Sequence, residues 1–206
     1  MKTRSYVADE RALTTMAASQ GGYFTSKQAA AIGYTAPKRN YHVHVGNWVR
    51  ERRGIFRLSM QPLPVRPDLI LWWLWSRNRQ DEPQGVYSHQ TALSLHELTD
   101  AMPSRLHMTV PKTFRRSAAI PKSIVLHIAD LPPSDIEQID GVPATKALRT
   151  MIDVAASGEV PLPDLQLAFA EATRSGKITR AEIAAAKTEP AQRNVLRFLQ
   201  GKGGKR

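Results

Sequence analysis

The positions of glycine in the first 58 residues constrain the fold of this chain more than any other feature. Gly21–Gly22, Gly33, Gly46 and Gly54 separate short segments, each of which matches one helix or one strand. Glycine tolerates the positive φ that helix ends and tight turns require. The spacing therefore predicts a helix, a second helix, a turn, a third helix and a β-hairpin, in that order.

That order is typical of the winged helix-turn-helix, in which the third helix lies in the DNA major groove and the hairpin, the wing, follows a phosphate backbone. The predicted elements are helices over residues 8–19, from Thr25 or Ser26 to Ala31 and from Thr35 to Gly46, and strands over Trp48–Arg50 and Ile55–Leu58.

The hairpin segment NWVRERRGIFRL, residues 47–58, is unusually rich in arginine. Its arginines either neutralise DNA phosphates or form a solvated edge that discourages strand pairing. Their position directly after a helix-turn-helix pattern favours DNA contact. In the third helix, TAPKRNYHVHVG, basic and amide side chains lie where base edges are met. Tyr41, Val43 and Val45 compete for the buried face, so the helical register is open by one residue. The predicted DNA-binding residues are Ser26, Lys27, Gln28, Thr35, Lys38, Arg39, Asn40, His42, Arg50, Arg52, Arg53 and Arg57.

Charge and composition agree with a polyanionic partner. The 206 residues carry a net charge of +11, and residues 1–60 hold ten lysines and arginines against three acids, a net of +7. The absence of cysteine excludes disulfides and thiolate chemistry and suits a reducing cytosol. No secretion signal is visible, and the apolar run LILWWLW is far shorter than the ~20 residues of a membrane span. We therefore expect a cytoplasmic protein without a membrane partner.

A proline-rich connector, residues 61–67, predicts a domain boundary. The fold class expected is α+β, with a winged helix-turn-helix over residues 1–62, a mixed α/β domain over 67–200 that ends in helices, and a disordered basic tail over 201–206. The tryptophans of LILWWLW are expected in a core helix. The later elements expected are helices over 88–98, 146–157, 163–175, 180–187 and 190–199, strands over 106–110 and 123–128, and a hairpin at Asp140–Gly141. Thr145 is expected to cap the helix over 146–157, and Thr179 and Glu182 to form a capping box before the helix over 180–187.

No pattern of catalytic residues stands out. His89 and His96, with Glu97 and Asp100, invite a metal site, as do His42 and His44. Local packing is favoured in both cases, because no further ligand motif stands at a helpful spacing from the first set and the second set has no third ligand. The acids and lysine nearest to a nuclease pattern, Glu137, Asp140 and Lys146, are loosely placed. We therefore expect neither an enzyme nor a cofactor. Arg115 and Arg116 would either extend the DNA-facing surface, contact a partner protein or RNA, or remain solvated.

The stretches SHQTALSLHELTDAMPSRLHMTVP, residues 88–111, and GVPATKALRTMIDVA, residues 141–155, resemble the AbiEi family of antitoxins from type IV toxin–antitoxin systems. The N-terminal segment that ends in RRGIFRL also fits this family, so the resemblance covers about residues 8–155.

The resemblance implies a DNA-binding antitoxin. Its winged helix would bind inverted repeats in its own promoter and repress the operon, and its C-terminal domain would counteract a co-encoded nucleotidyltransferase toxin without forming a stable complex. The helices after Gly158 match no part of the family pattern. Two alternatives remain open: a nuclease-like enzyme with a winged-helix targeting domain, and a protein-interaction scaffold with a basic front.

Overall fold

The structure is a computed structural model that describes residues 6–116 and 119–201. Over these residues the chain is mixed α+β, with nine α-helices and two β-sheets. It divides into two compact units. The first unit contains the chain up to Gly85, with Phe114–Arg116 and Asp140–Val142. The second contains Val86–Thr113, residues 119–139 and the chain from Pro143 onwards.

The first unit combines four helices with a three-stranded antiparallel sheet of order β1-β3-β2. Its apolar core gathers around Phe24, Trp48 and Phe56, whose rings lie within 6 Å of one another. The elements are α1 (Tyr6–Ala18), β1 (Tyr23–Thr25), α2 (Ser26–Ile32), α3 (Ala36–His44), β2 (Trp48–Arg52), β3 (Ile55–Leu58) and α4 (Pro67–Trp75).

Local signals position these elements. Thr25 and Gln28 form a capping box at the start of α2, and Gly33 ends that helix in the left-handed region with φ 117°. The three predicted helices and both hairpin strands are confirmed to within a few residues. The predicted loop of the hairpin is shorter in the structure, because β2 extends to Arg52 and a register shift there leaves a two-residue turn.

Helix α4 belongs to the first unit, although the sequence analysis assigned it to the second domain. It packs against β1 and β3, and it buries Trp72 and Trp75 as expected for core tryptophans. The compact unit therefore extends past the proline-rich connector, since the apolar face of α4 covers one side of the small sheet.

The second unit is built on a five-stranded mixed sheet of order β6-β5-β4-β8-β7. Strand β5 pairs antiparallel with β4 and parallel with β6, and β4 pairs parallel with β8. The elements are β4 (Val86–Tyr87), α5 (His89–Leu95), β5 (Leu106–Val110), β6 (Ile124–Ile128), β7 (Ile136–Ile139), β8 (Val142–Thr145), α6 (Ala147–Ser157), α7 (Leu162–Arg174), α8 (Arg180–Ala186) and α9 (Pro190–Leu199).

The last four helices pack into one apolar cluster with α5, in which Met151, Leu165 and Leu196 are fully buried. Gly158 ends α6 in the left-handed region, and Thr179 and Glu182 form the predicted capping box of α8. Thr145 differs from its prediction as a helix cap. It lies at the end of β8, and its buried hydroxyl pairs with that of Thr150, 2.7 Å away.

None of the helices that the structure describes is long and apolar enough to cross a bilayer. The predicted basic tail lies, from residue 202 onwards, outside the described residues.

Candidate nucleic-acid interface

The helical register of α3 decides which of its side chains reach the surface. His42 is only 6% exposed, and its ring stacks on Trp48 with centroids 4.7 Å apart. Its Nδ1 lies 3.2 Å from the side-chain amide of Asn47, and burial lowers the pKa of His42. Tyr41 and Val45, by contrast, are exposed.

The prediction that His42 contacts DNA therefore disagrees with its position. The sequence analysis expected Tyr41, Val43 and Val45 to compete for the buried face, but the structure buries His42 and leaves Tyr41 outside. The aromatic ring of His42 fills the space beside the indole of Trp48, a contact that a hydropathy pattern does not reveal.

The polar residues of the first turns of α3 are at the surface. Lys38 and Asn40 are exposed, as is Thr35, which precedes the helix without a side-chain capping bond. Arg39 is half-buried and donates from Nη1 to the carbonyl oxygen of Tyr34, at 2.6 Å. Lys38 and Asn40 are thus the predicted base-reading residues that are most accessible.

One hydrogen bond joins the helix to the hairpin. Nη2 of Arg50, on β2, donates to Oδ1 of Asn40 at 3.0 Å. Both side chains are exposed, and the guanidinium of Arg50 also lies over the ring of Phe56. The structure therefore brings predicted residues of the helix and of the hairpin together on one surface.

The other hairpin arginines differ in which groups of the protein contact their guanidinium. Arg57 is half-buried and forms an ion pair with Glu51, with Nε and Oε1 2.9 Å apart. Arg52 is exposed, and its Cζ lies 3.9 Å from the centroid of the Trp72 ring, a cation–π contact. Arg53 occupies the exposed turn. Arg57 is therefore the predicted phosphate contact whose charge is already compensated.

At the start of α2, the predicted residues are largely occupied by internal contacts. Gln28 completes the capping box and also bonds Gln20 through its amide, at 3.1 Å. Exposed Lys27 donates from Nζ to the carbonyl oxygen of Arg79. The backbone N–H of Ser26 donates to the carbonyl oxygen of Gly54 at 2.9 Å. The bond from Ser26 holds the hairpin turn beside α2.

Arg77, which the sequence analysis did not single out, supports the same turn. Its Nη2 donates to the carbonyl oxygen of Gly54 at 3.2 Å, and its Nε lies 2.9 Å from Oδ1 of Asp81. Gly54 has φ +75°, and a Cβ there would lie 2.9 Å from Nη2 of Arg77, so glycine is required at this position. The segment of this pair follows the end of α4 and is not helical, so the four-residue spacing alone did not predict the contact.

Arg115 and Arg116 have different surroundings in the structure. Arg115 is exposed, whereas Arg116 is half-buried with its Cζ 4.4 Å from the centroid of the Trp75 ring. Nη1 of Arg116 donates to the carbonyl oxygen of Arg77 at 3.3 Å. Arg116 therefore packs on the core side of α4 rather than forming a solvated pair with its neighbour.

The second unit contains a cluster of three histidines that spacing did not predict. The ring of His89 stacks on that of His127 with centroids 3.5 Å apart, and Nδ1 of His107 lies 3.1 Å from Nε2 of His127. Burial lowers the pKa of each, that of His89 to about 3. His96, which the sequence paired with His89, instead bonds through Nε2 to the carbonyl oxygen of Thr145 at 2.8 Å.

The charges near this cluster do not complete a metal site. Within the described part of the chain, no group of three or more histidines or carboxylates could hold a metal ion. Asp135 and Asp153 converge on the guanidinium of Arg149, each at 2.9 Å, so their charges are compensated by arginine. Arg149 therefore lies between two carboxylates in an ion-pair triad.

The fold and the surface together define a mixed α+β protein with a basic, exposed face on its first unit. One solved structure that shares this fold is the crystal structure of the RV2827C protein from Mycobacterium tuberculosis. The TM-score is 0.60 at 13% sequence identity, and the match covers 99% of this chain and 80% of that one. At this identity the likeness concerns the fold alone. No family model and no curated protein matches the chain.

Proposed function

We propose that the first unit is a winged helix-turn-helix that binds double-stranded DNA and represses the chain's own operon at inverted repeats in the promoter. The observation that supports this most is the hydrogen bond from Arg50 to Asn40, 3.0 Å long. It places the basic hairpin directly beside the exposed side of α3. Such a juxtaposition allows one duplex to meet both elements at once.

In this proposal α3 is the recognition helix and the hairpin β2–β3 is the wing. Lys38 and Asn40 read base edges in the major groove, since lysine can bond guanine and asparagine can pair with adenine. Arg50, Arg52 and Arg53 neutralise phosphates beside the groove. Arg57 and His42 serve the fold instead, because the first is paired and the second is buried.

We further propose, on the resemblance of residues 88–111 and 141–155 to AbiEi antitoxins, that the second unit counteracts a co-encoded nucleotidyltransferase toxin. No stable complex with this toxin is required.

Binding of the full chain to a fluorescent duplex that carries its own promoter tests the repressor function. The proposal expects the promoter to be bound at least about 10³-fold more tightly than a shuffled duplex of the same composition. Equal affinity for both duplexes would show that the basic face binds DNA without reading it, and the repressor function would be wrong.

Growth of cells that produce the neighbouring nucleotidyltransferase tests the antitoxin function. Production of this chain beside the toxin is expected to restore growth, while the two purified proteins elute separately in gel filtration. Continued toxicity, with the chain present in soluble form, would contradict this part of the proposal.

A further inference from the structure

The exposed side of α3 carries two large apolar residues that the fold does not use. Tyr41 is 62% exposed and Val45 43% exposed. They lie four residues apart, and Lys38 precedes Tyr41 by three, so all three side chains share one face of the helix. This face is therefore a stripe of one cation followed by two apolar groups.

Packing holds this stripe in place although its outer surface is free of other described elements. The ring of Tyr41 meets that of His42 edge-on, with centroids 5.6 Å apart, and His42 is itself stacked on the core residue Trp48. The backbone N–H of Val45 donates to the carbonyl oxygen of Tyr41 at 2.9 Å. The burial of His42 thus fixes the direction in which Tyr41 points.

The surroundings of the stripe are those of a surface that meets a polyanion. Lys38 lies at one end of the stripe, and the hydrogen-bonded pair of Arg50 and Asn40 lies elsewhere on the exposed surface of the same unit. A protein partner with an apolar face would have to cover these cations, whereas DNA neutralises them. The one apolar group that each A·T pair exposes in the major groove is the 5-methyl group of thymine.

We propose that Tyr41 and Val45 contact thymine 5-methyl groups, so that each half-site of the operator carries thymines beside the base read by Lys38. This inference rests on the proposed DNA binding by α3 and adds the base that its apolar residues select. Tyr41 and Val45 are then specificity-determining residues. They are exposed in the free protein because they must be accessible to the methyl group.

Replacement of single thymines by deoxyuridine tests this directly, because deoxyuridine pairs as thymine does and lacks only the methyl group. The promoter duplex that the full chain binds is made with one deoxyuridine at a time. For the wild-type chain, one or two positions in each half-site should lose about fourfold in affinity, the equivalent of one buried methyl group. At those positions the Tyr41→Ala and Val45→Ala variants should bind both duplexes equally.

Matched variants control for unspecific effects. Tyr6 and Val7, on α1, are 57% and 70% exposed, so Tyr6→Ala and Val7→Ala remove the same groups from a different surface. These variants should keep the full sensitivity to deoxyuridine. Tyr41→Phe should keep it as well, because the ring and not the hydroxyl meets the methyl group. Circular dichroism and thermal unfolding confirm that each variant is folded.

The outcomes separate the two levels of the proposal. If the chain binds its promoter specifically but no deoxyuridine changes the affinity, the methyl contact is wrong and the repressor function stands. If the chain does not prefer its promoter, both are wrong. If Tyr41→Ala instead changes the sedimentation mass of the free protein and leaves the deoxyuridine sensitivity intact, the stripe is a contact between two copies of the chain, which overturns the inference.

Discussion

At the scale of single residues, the arginines of the hairpin divide by what already compensates their charge. Arg53 lies exposed in the turn, whereas Arg57 is half-buried against Glu51 at 2.9 Å. An arginine with a fixed carboxylate partner gains little from a phosphate, since it would first have to give up that partner. The two positions therefore make a matched pair for separating DNA binding from stability.

Arg53→Ala should weaken binding to promoter and shuffled DNA alike and reduce the salt dependence by about one phosphate contact. Arg57→Ala should leave the salt dependence unchanged and lower the free energy of unfolding, because Glu51 is left half-buried without its partner. Anisotropy titrations at several salt concentrations, with urea unfolding of both variants, measure the two effects. The reverse pattern would mean that Arg57 leaves Glu51 on binding.

His42→Ala should act on the fold. The imidazole stacks on Trp48 and is buried, so its removal leaves a cavity beside the core and should cost about 2–5 kcal/mol, the range for large-to-small core changes. Base preference should stay unchanged in the variant that remains folded. Unfolding monitored by tryptophan fluorescence reports this site, since Trp48 is its neighbour. A change in base preference with no loss of stability would show that His42 contacts DNA.

The case of α3 shows what a sequence pattern could and could not predict at this scale. The bounds of the helix follow from Thr35, Pro37 and Gly46, which are local signals. Its register was undetermined, because a helix with Tyr41, Val43 and Val45 at alternate positions has no clear apolar stripe. The ring of Trp48, which selects His42, comes from a later element, so tertiary packing decides the register.

At the scale of elements, the segment after α4 supports the turn of the β2–β3 hairpin. Arg77 donates to the carbonyl oxygen of Gly54, Asp81 holds Arg77, and the hydroxyl of Thr25 bonds the same carboxylate. Burial lowers the pKa of Arg77, and Asp81 opposes this shift. The hairpin turn is thus fixed by a residue 23 positions further along the chain, and the start of α2 by one 56 positions further along.

Arg77→Ala should loosen the turn of the β2–β3 hairpin without removing a contact to DNA. Removing the guanidinium leaves Asp81 largely buried with one partner fewer, so the unit should lose about 1–3 kcal/mol of stability. Promoter affinity should fall, and the salt dependence should change less than in Arg53→Ala, because Arg77 itself makes no phosphate contact in this proposal. Hydrogen exchange of the β2–β3 amides measures the loosening, and unchanged protection there would contradict the supporting role.

The histidine cluster of the second unit predicts a pH dependence. His89 lies on α5, His107 on β5 and His127 on β6, and each has a pKa below its ordinary value. The unfolded chain therefore binds protons more readily than the folded unit. Stability is fully present above the unfolded pKa of about 6.5 and is lost as pH falls below it, by roughly 1.4 kcal/mol per pH unit for each histidine involved.

The charged groups around the cluster change how steeply the stability falls with pH. Burial, His127 and His107 all disfavour charge on His89, as does Arg149, and Arg105 acts on His107 in the same direction. Glu159 raises the pKa of both His107 and His127, and Asp153 raises that of His127. Asp153 has a raised pKa of its own, which stabilises the folded unit as pH falls and so opposes the histidines.

Hydrogen exchange of the β5 and β6 amides between pH 7.5 and 5 measures the effect, after correction for intrinsic exchange rates. Protection should fall with pH in the wild-type chain and fall less in His127→Gln. All four tryptophans lie in the first unit, so the fluorescence transition serves as an internal control and should move less over this range. Equal protection at both pH values would contradict the cluster's role.

Elements with local signals were predictable and elements defined by pairing were not. The capping box at Thr179 and the Asp140–Gly141 turn, where both residues have positive φ, follow directly from the sequence. Strand β1 and strand β4 have three and two residues and exist because distant strands pair with them. Their sequences alone are too short to carry an alternating pattern.

At the scale of the whole molecule, the chain passes between its two compact units more than once. Phe114–Arg116 and Asp140–Val142 group with the first unit, although they lie within the sequence of the second. A single cut at the proline-rich connector would therefore remove α4 and both segments from the first unit. Substitutions in the intact chain are the better way to separate the proposed repressor and antitoxin functions.

The salt dependence of promoter binding, measured for the wild-type chain and for the Lys38→Ala/Arg50→Ala/Arg53→Ala variant, tests the central claim most directly. The account predicts that log affinity of the wild type falls linearly with log salt, by about 0.9 for each phosphate contact. The variant should show a slope reduced by the two phosphate contacts of Arg50 and Arg53, at about 0.9 each, and little preference for the promoter because Lys38 is lost, while it still restores growth beside the toxin. A wild-type affinity that does not change with salt, or a variant that binds as the wild type does, would contradict the account.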